Sequence, residues 1–258
     1  MIRYKKILLL CMMIFAGFLV RNYILNGCGY LDAGQDLMSN QKISVVLFDF
    51  DGTIADSFES SVAVANQLAS EYGYQPITEE QKALIKNLPL KDVLLKHFKI
   101  KWYQIPGIVM RGKDLMGDKT HADKLNPFDG MHDALTQLTN HNISLGILTS
   151  SREERVNHFI DKFKFTCFKT IYADSSLFGK HNCLQRFLDN NGLSAKNVLY
   201  VGDEVRDIEA AHTVGMKCIG VTWGYNSEAA LVQAKPYTVV KTPAEMADQI
   251  IKLVDSSN

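Results

Sequence analysis

The string Asp49-Phe50-Asp51-Gly52-Thr53 closes an apolar run, and its two carboxylates stand two positions apart. In an extended strand alternate side chains leave the backbone on the same side, so Asp49 and Asp51 can flank one reacting centre. Paired carboxylates at the end of a buried strand are costly unless a cation, a proton or hydrogen bonds offset their charge, and the pair therefore calls for a metal. Gly52 and Thr53 follow as a turn whose backbone donors are expected to be free. A lone Asp-Gly is more often a turn or cap signal. What argues for chemistry is that further polar groups follow other predicted strands: Thr149, Ser150 and Ser151 after LGIL, Lys180 in LFGKHNC, and Asp203 with Asp207 in YVGDEVRD. The carboxyl edge of a doubly wound parallel sheet is where such groups meet.

The elements that must position them are legible as short apolar runs. Val45 to Phe48 is nearly continuous, as in strands covered on both faces, and similar runs recur at 143–148, 168–172, 198–201, 218–221 and 237–240. Helical stretches separate most of them, which predicts an α/β fold with a doubly wound, Rossmann-like parallel sheet. Thr242-Pro243-Ala244-Glu245 reads as a capped helix start, and Ser151 with Glu154 reads as a second capping box. Between the first two core strands, residues 57–128 are helix-rich, with Val62, Ala65, Leu68 and Tyr72 at helical spacing and no strand signal. The expected division is a core of 43–56 and 129–258 with a small inserted α-helical cap at 57–128. Such a lid gives substrate choice and excludes water, through residues 86–91 or around Trp102 and Tyr103.

Across 258 residues, 28 Lys+Arg balance 28 Asp+Glu and no dense basic stretch occurs, which speaks against a nucleic-acid partner. The five cysteines are odd in number and form no CxxC pair, so neither a disulfide framework nor a zinc site is suggested. The N-terminus differs. Arg3, Lys5 and Lys6 precede an apolar run from Ile7 to Val20, short of the roughly 20 residues needed to span a bilayer and closer to a signal-peptide core. Membrane contact is therefore expected only through residues 7–25. Translation from Met38 would leave a cytoplasmic protein; retention of the segment would anchor or export it, and Cys28 is only a weak lipidation candidate.

The ordered set DFDGT, Thr149, Lys180 and GDEVRD resembles the haloacid dehalogenase superfamily of phosphatases over about residues 43 to 240. The long insertion after the first motif resembles the branch that includes phosphoglycolate phosphatase-like enzymes. The resemblance implies a small phosphorylated metabolite as substrate. Asp49 would attack phosphorus to form an aspartyl-phosphate, while Asp51 protonates the leaving alcohol and later activates water. It also implies magnesium (Mg2+), held by the Asp49 carboxylate, the Asp51 backbone carbonyl and Asp203. Thr149 and Lys180 would stabilise the phosphoryl oxygens, with Ser150 or Ser151 as alternatives to the threonine, and Asp207 would orient water or the lysine. The family often has proline after that lysine, whereas His181 stands here. Glu204 and Arg206 read as solvent or sheet-edge partners. Three rivals remain: a dehalogenase, which would not need Asp51 and Asp203; a phosphosugar mutase; and a binding module without turnover.

Overall fold

The computed structural model describes residues 42–88, 92–173 and 179–256. The segment 7–25, Cys28, Met38 and residues 89–91 of the expected cap contact lie outside the described residues. Among those described, no helix is long and apolar enough to cross a membrane.

Six parallel strands form the sheet: β1 (Val45–Phe48), β4 (Ser144–Thr149), β5 (Phe168–Ala173), β6 (Val198–Gly202), β7 (Lys217–Val221) and β8 (Thr238–Val240). Their order is β5-β4-β1-β6-β7-β8. β1 is central, pairing with β4 on one side and β6 on the other, so the strand order reverses beside it. That reversal opens a crevice at the carboxyl ends of β1, β4 and β6, the place where a doubly wound sheet holds ligands. Phe48 is level with Ile147 and with Val201, which brings the first residues beyond each strand to one edge.

The period of two along β1 sorts its side chains between two cores. Val46 and Phe48 join one cluster with α5 (Met131–Asn140), α6 (Glu153–Phe163) and α9 (Pro243–Asp255). Leu47 joins the other, with α7 (Lys180–Asn191) and α8 (Val205–Val214). All three side chains are fully buried, and each such burial contributes about 2 kcal/mol. Helices therefore cover both faces of the sheet, as the strand pattern predicts.

Between β1 and α5 the chain is mainly helical: α1 (Phe58–Tyr72), α2 (Glu79–Ile85), a π turn at Val93–His97, a 3-10 turn at Trp102–Gln104, α3 (Ile105–Gly117) and α4 (Lys119–Ala122). These elements enclose a third apolar cluster, including Val62, Leu68 and Ile108. Tyr72, though at the helical spacing, is exposed. One departure from the expectation of no strand lies at the base: β2 (Ala55–Asp56) pairs antiparallel with β3 (Asn126–Pro127), joining the two ends of the insertion.

The two helix starts read as capping boxes turn out differently. Thr242 accepts from the Glu245 N–H at 3.1 Å, while the Glu245 carboxylate accepts from Lys241 N–H at 2.7 Å, one residue before the cap. Ser151 does not cap at all: α6 begins at Glu153 after Arg152, and the Ser151 hydroxyl donates to Asp51.

Candidate active site

Asp49 is the first residue beyond β1, with its N–H bonded to the Val201 carbonyl of β6 at 2.8 Å. Its Oδ1 accepts from Phe50 N–H at 2.8 Å, which fixes the carboxylate plane, and its Oδ2 accepts from Lys180 Nζ at 2.7 Å. Lys180, the first residue of α7, also donates to Asp207 Oδ1 at 2.5 Å. His181, where the family often has proline, leaves this start intact. Asp207 in turn accepts Glu204 N–H at 3.0 Å through Oδ2 and so closes the first turn of α8. All three charged side chains are buried. Burial pushes Asp49 up to about 6, against the pull of Lys180. Burial disfavours the Lys180 charge, yet Asp207 and Asp49 outweigh it and raise the ammonium well above the usual lysine range.

Asp51 faces a different partner. Its Oδ2 accepts from Ser151 Oγ and from Arg155 Nη1 at 2.8 Å, and Arg155 Nη2 lies 2.8 Å from Oδ1. Arg155 also reaches Ser151 Oγ at 2.6 Å. Burial would raise the Asp51 carboxyl, but the Arg155 charge and these hydrogen bonds hold it below the ordinary value. The expectation that both carboxylates continue a strand is corrected here. β1 ends at Phe48, Asp51 only bridges Ala55, and one carboxylate meets Lys180 while the other meets Arg155. Both nonetheless line one cavity of about 250 Å3. The Gly52 N–H is not a free donor either: it bonds the Ala55 carbonyl at 2.9 Å, with φ at 78°.

Asp203, just past β6, is fully buried. Its Oδ1 accepts from the Thr53 hydroxyl at 2.8 Å and its Oδ2 from Tyr225 N–H at 2.7 Å. Both donors are neutral, and burial together with the charges of Glu204, Asp207 and Asp49 raises this carboxyl well above its ordinary value. One carboxylate oxygen each from Asp49, Asp203 and Asp207 lies within 4.8 Å of the others. Lys180 answers Asp49 and Asp207, and Arg206 answers Glu204 at 2.5 Å, which leaves Asp203 without a cationic partner among the described residues. A buried, oxygen-only donor set with excess negative charge fits a hard divalent cation such as magnesium.

Thr149 ends β4 with its hydroxyl accepting the Ser151 N–H at 3.0 Å, and it is buried. Ser150 and Ser151 line the cavity itself. Glu204 and Arg206, expected at solvent or the sheet edge, line it too, because the turn into α8 folds them back over the carboxyl edge. Sequence reasoning missed Arg155 and Tyr225. The available signal for Arg155 was its place one helical turn after Ser151; none marked Tyr225. The insertion contributes Ser61 and Val64 from α1, and Val109, Gly112, Lys113 and Met116 from α3. The expected contacts fall elsewhere: Lys86 donates to the Gly224 carbonyl at 2.9 Å, and Trp102 is 78% exposed.

The profile of the haloacid dehalogenase-like hydrolases matches residues 46–221. A phosphoglycolate phosphatase of Synechococcus elongatus is 32% identical over 213 residues, covering 82% of this chain and 99% of that protein. One of Xylella fastidiosa is 29% identical over 201 residues, covering 74% and 86%. Among solved structures, a predicted phosphatase from Clostridium acetobutylicum superposes with a TM-score of 0.71 at 21% identity, covering 82% of this chain and 99% of that one. A haloacid dehalogenase-like hydrolase from Streptococcus pneumoniae does so with a TM-score of 0.68 at 20% identity, covering 82% and 99%. At such identities the structural likeness speaks for the fold.

Proposed function

This chain belongs to the haloacid dehalogenase-like hydrolases, and on that premise we propose that it is a magnesium-dependent phosphatase of small phosphomonoesters, with phosphoglycolate as the first substrate to test. The observation that carries the reading is the Asp49 carboxylate, pinned by Phe50 N–H and Lys180 at one side of a cavity that Asp51 also lines. A nucleophile needs a fixed carboxylate oxygen facing the substrate, and its acid–base partner needs to reach the oxygen on the far side of phosphorus.

In the first half-reaction an Asp49 oxygen bonds to phosphorus as the bond to the alcohol oxygen breaks, and Asp51 gives that oxygen its proton. The Arg155 contact must loosen for Asp51 to carry this proton. In the second half the ionised Asp51, the form that Arg155 favours, takes a proton from water. The water oxygen bonds to phosphorus and Asp49 leaves as a carboxylate, so the balance is ester plus water to alcohol plus phosphate. Lys180, positioned by Asp207, neutralises charge on the phosphoryl oxygens, with the hydroxyls of Thr149 or Ser150 beside it. Magnesium, held by the Asp49 carboxylate, the Asp51 backbone carbonyl and Asp203, supplies further neutralisation of that charge.

On this reading residues 57–128 are the cap and 43–56 with 129–258 the catalytic core, and membrane contact is made only through residues 7–25, if that segment is retained. The test is phosphate release from a panel including phosphoglycolate and sugar phosphates, with and without magnesium, for wild type and Asp49→Asn. Metal-dependent release lost in the variant supports the assignment. An isomerised sugar phosphate without net release would replace it with a mutase.

A further inference from the structure

Residues 224–227 follow β7 and carry no group assigned a chemical step, yet they touch both halves of the site. On the core side they press against Asp203. A Cβ on Gly224 would collide with the Asp203 carboxylate and the Gly52 carbonyl. Tyr225 N–H donates to Asp203 Oδ2 at 2.7 Å, and Asn226 N–H donates to the Asp203 carbonyl at 3.2 Å. The Asn226 side-chain oxygen then accepts Val205 N–H at 2.8 Å, at the start of α8.

On the insertion side the same residues hold α1 and the segment after α2. The Tyr225 hydroxyl meets the Ser57 hydroxyl at 3.1 Å and that of Ser61, and its ring lies edge-on to Phe58 at 5.5 Å. Asn226 Nδ2 donates to the Lys86 carbonyl at 3.1 Å, Ser227 N–H donates to the same oxygen at 2.8 Å, and Lys86 Nζ returns to the Gly224 carbonyl at 2.9 Å.

We propose that Tyr225 and Asn226 are positioning residues that tie the seating of the helical insertion to the orientation of Asp203. Asp203 depends for its orientation on neutral donors, one of them the Tyr225 N–H. A loop released by the insertion would turn that N–H away, and the carboxylate with it. Coupling of this kind is reciprocal, so disturbance on either side is felt on the other. From the proposed function the inference takes only the place of Asp203 in the cation site.

Hydrogen–deuterium exchange on the full chain, without metal or substrate, tests it in wild type, Tyr225→Phe and Asn226→Ala. Tyr225→Phe removes only the hydroxyl that faces Ser57 and Ser61 and keeps the ring and the N–H to Asp203. Exchange is expected to rise about tenfold at 57–61 and, at a distance from the change, at the Val205 amide and the 203–207 turn. Asn226→Ala should loosen 86–88 and 203–207 together. Magnesium affinity measured by calorimetry should fall several-fold in Tyr225→Phe. Loosening of 57–61 alone, with 203–207 and magnesium affinity as in wild type, overturns the proposal, as does unchanged exchange in both variants. Failure of the wild type to release phosphate would sink the phosphatase reading and leave the exchange result standing.

Discussion

Asp49 lines the sheet side of the cavity, and around it Lys180, Asp203 and Asp207 are buried, each of the four bound to at least one charged or backbone partner. On the insertion side the wall is Val64, Val109, Gly112 and Met116 with Lys113 among them, drawn from two helices of a separate apolar cluster. The first surface is held by directional bonds in a setting of low dielectric, where a misplaced charge is costly. The second is held by packing, which tolerates changes of shape at smaller cost. On the proposed function, the division suits fixed chemistry on the sheet side with the leaving group selected by the insertion.

If this contrast is right, changes on the sheet side cost far more than changes on the insertion side. Asp49→Asn should abolish phosphate release, by on the order of a millionfold, because the amide is not a nucleophile. Its melting temperature without metal should be no lower than that of wild type, since one of three crowded carboxylates has lost its charge. Unfolding of this variant would show that Asp49 is chiefly structural.

Lys180→Met attacks the same network from its cationic side. Asp49 and Asp207 then lose their shared partner, and removing one member of a buried ion pair costs about 3 kcal/mol. Urea unfolding should show that loss in a chelator and partial recovery with magnesium, while phosphate release falls about a thousandfold. An unchanged unfolding midpoint would mean that the buried cluster is protonated and needs no lysine.

The same line separates what the sequence made legible from what it did not. Strand β1, the carboxylates of DFDGT and GDEVRD, and Lys180 stand beside apolar runs whose parallel register leaves few alternatives for where their ends meet. Arg155 was marked only by its place one helical turn after Ser151, while Tyr225 and the inward turn of Glu204 and Arg206 depend on how the chain folds back over the edge, and no periodicity records that. Thr149 shows the limit within a motif: the strand end was readable, but not that its hydroxyl accepts the Ser151 N–H while Ser150 and Ser151 line the cavity. In the insertion, Lys86 and Trp102 lie away from the cavity wall because helical spacing gives a buried face without saying which end faces the core.

A smaller effect follows from the raised carboxyls. Asp49 is lifted to about 6 and Asp203 well above its ordinary 3.8, so the folded state binds their protons more tightly than the unfolded chain. The stability they contribute is whole below the unfolded value near 3.8 and is lost as pH rises through the folded values. Asp51, which is lowered, runs the other way, but its contribution fades only in more acid solution. In a chelator the melting temperature should therefore fall by on the order of 5 °C between about pH 5 and 7.5. Magnesium should cancel that slope by answering the ionised carboxylates. A flat profile in the chelator would show that the cluster is compensated without a cation.

Gly112→Ala is the mildest test and the one that sharpens the contrast most. Gly112 lies inside α3 and lines the cavity; a Cβ there would meet Leu68 Cδ1 at 3.4 Å, an ordinary contact, whereas at Gly224 it would strike Asp203. Alanine in a helix interior is favoured over glycine by about 0.8 kcal/mol, so the variant should be slightly more stable. The added methyl narrows the insertion wall without touching Asp49 or Lys180. The kcat for a small ester should stay within about twofold, while KM for bulkier esters should rise several-fold, since losing room for one methyl group is worth roughly 1 kcal/mol. A large fall in kcat for every ester would mean that α3 shapes the reacting geometry as well as the leaving-group pocket, and the line between a fixed floor and a selective wall would have to be redrawn.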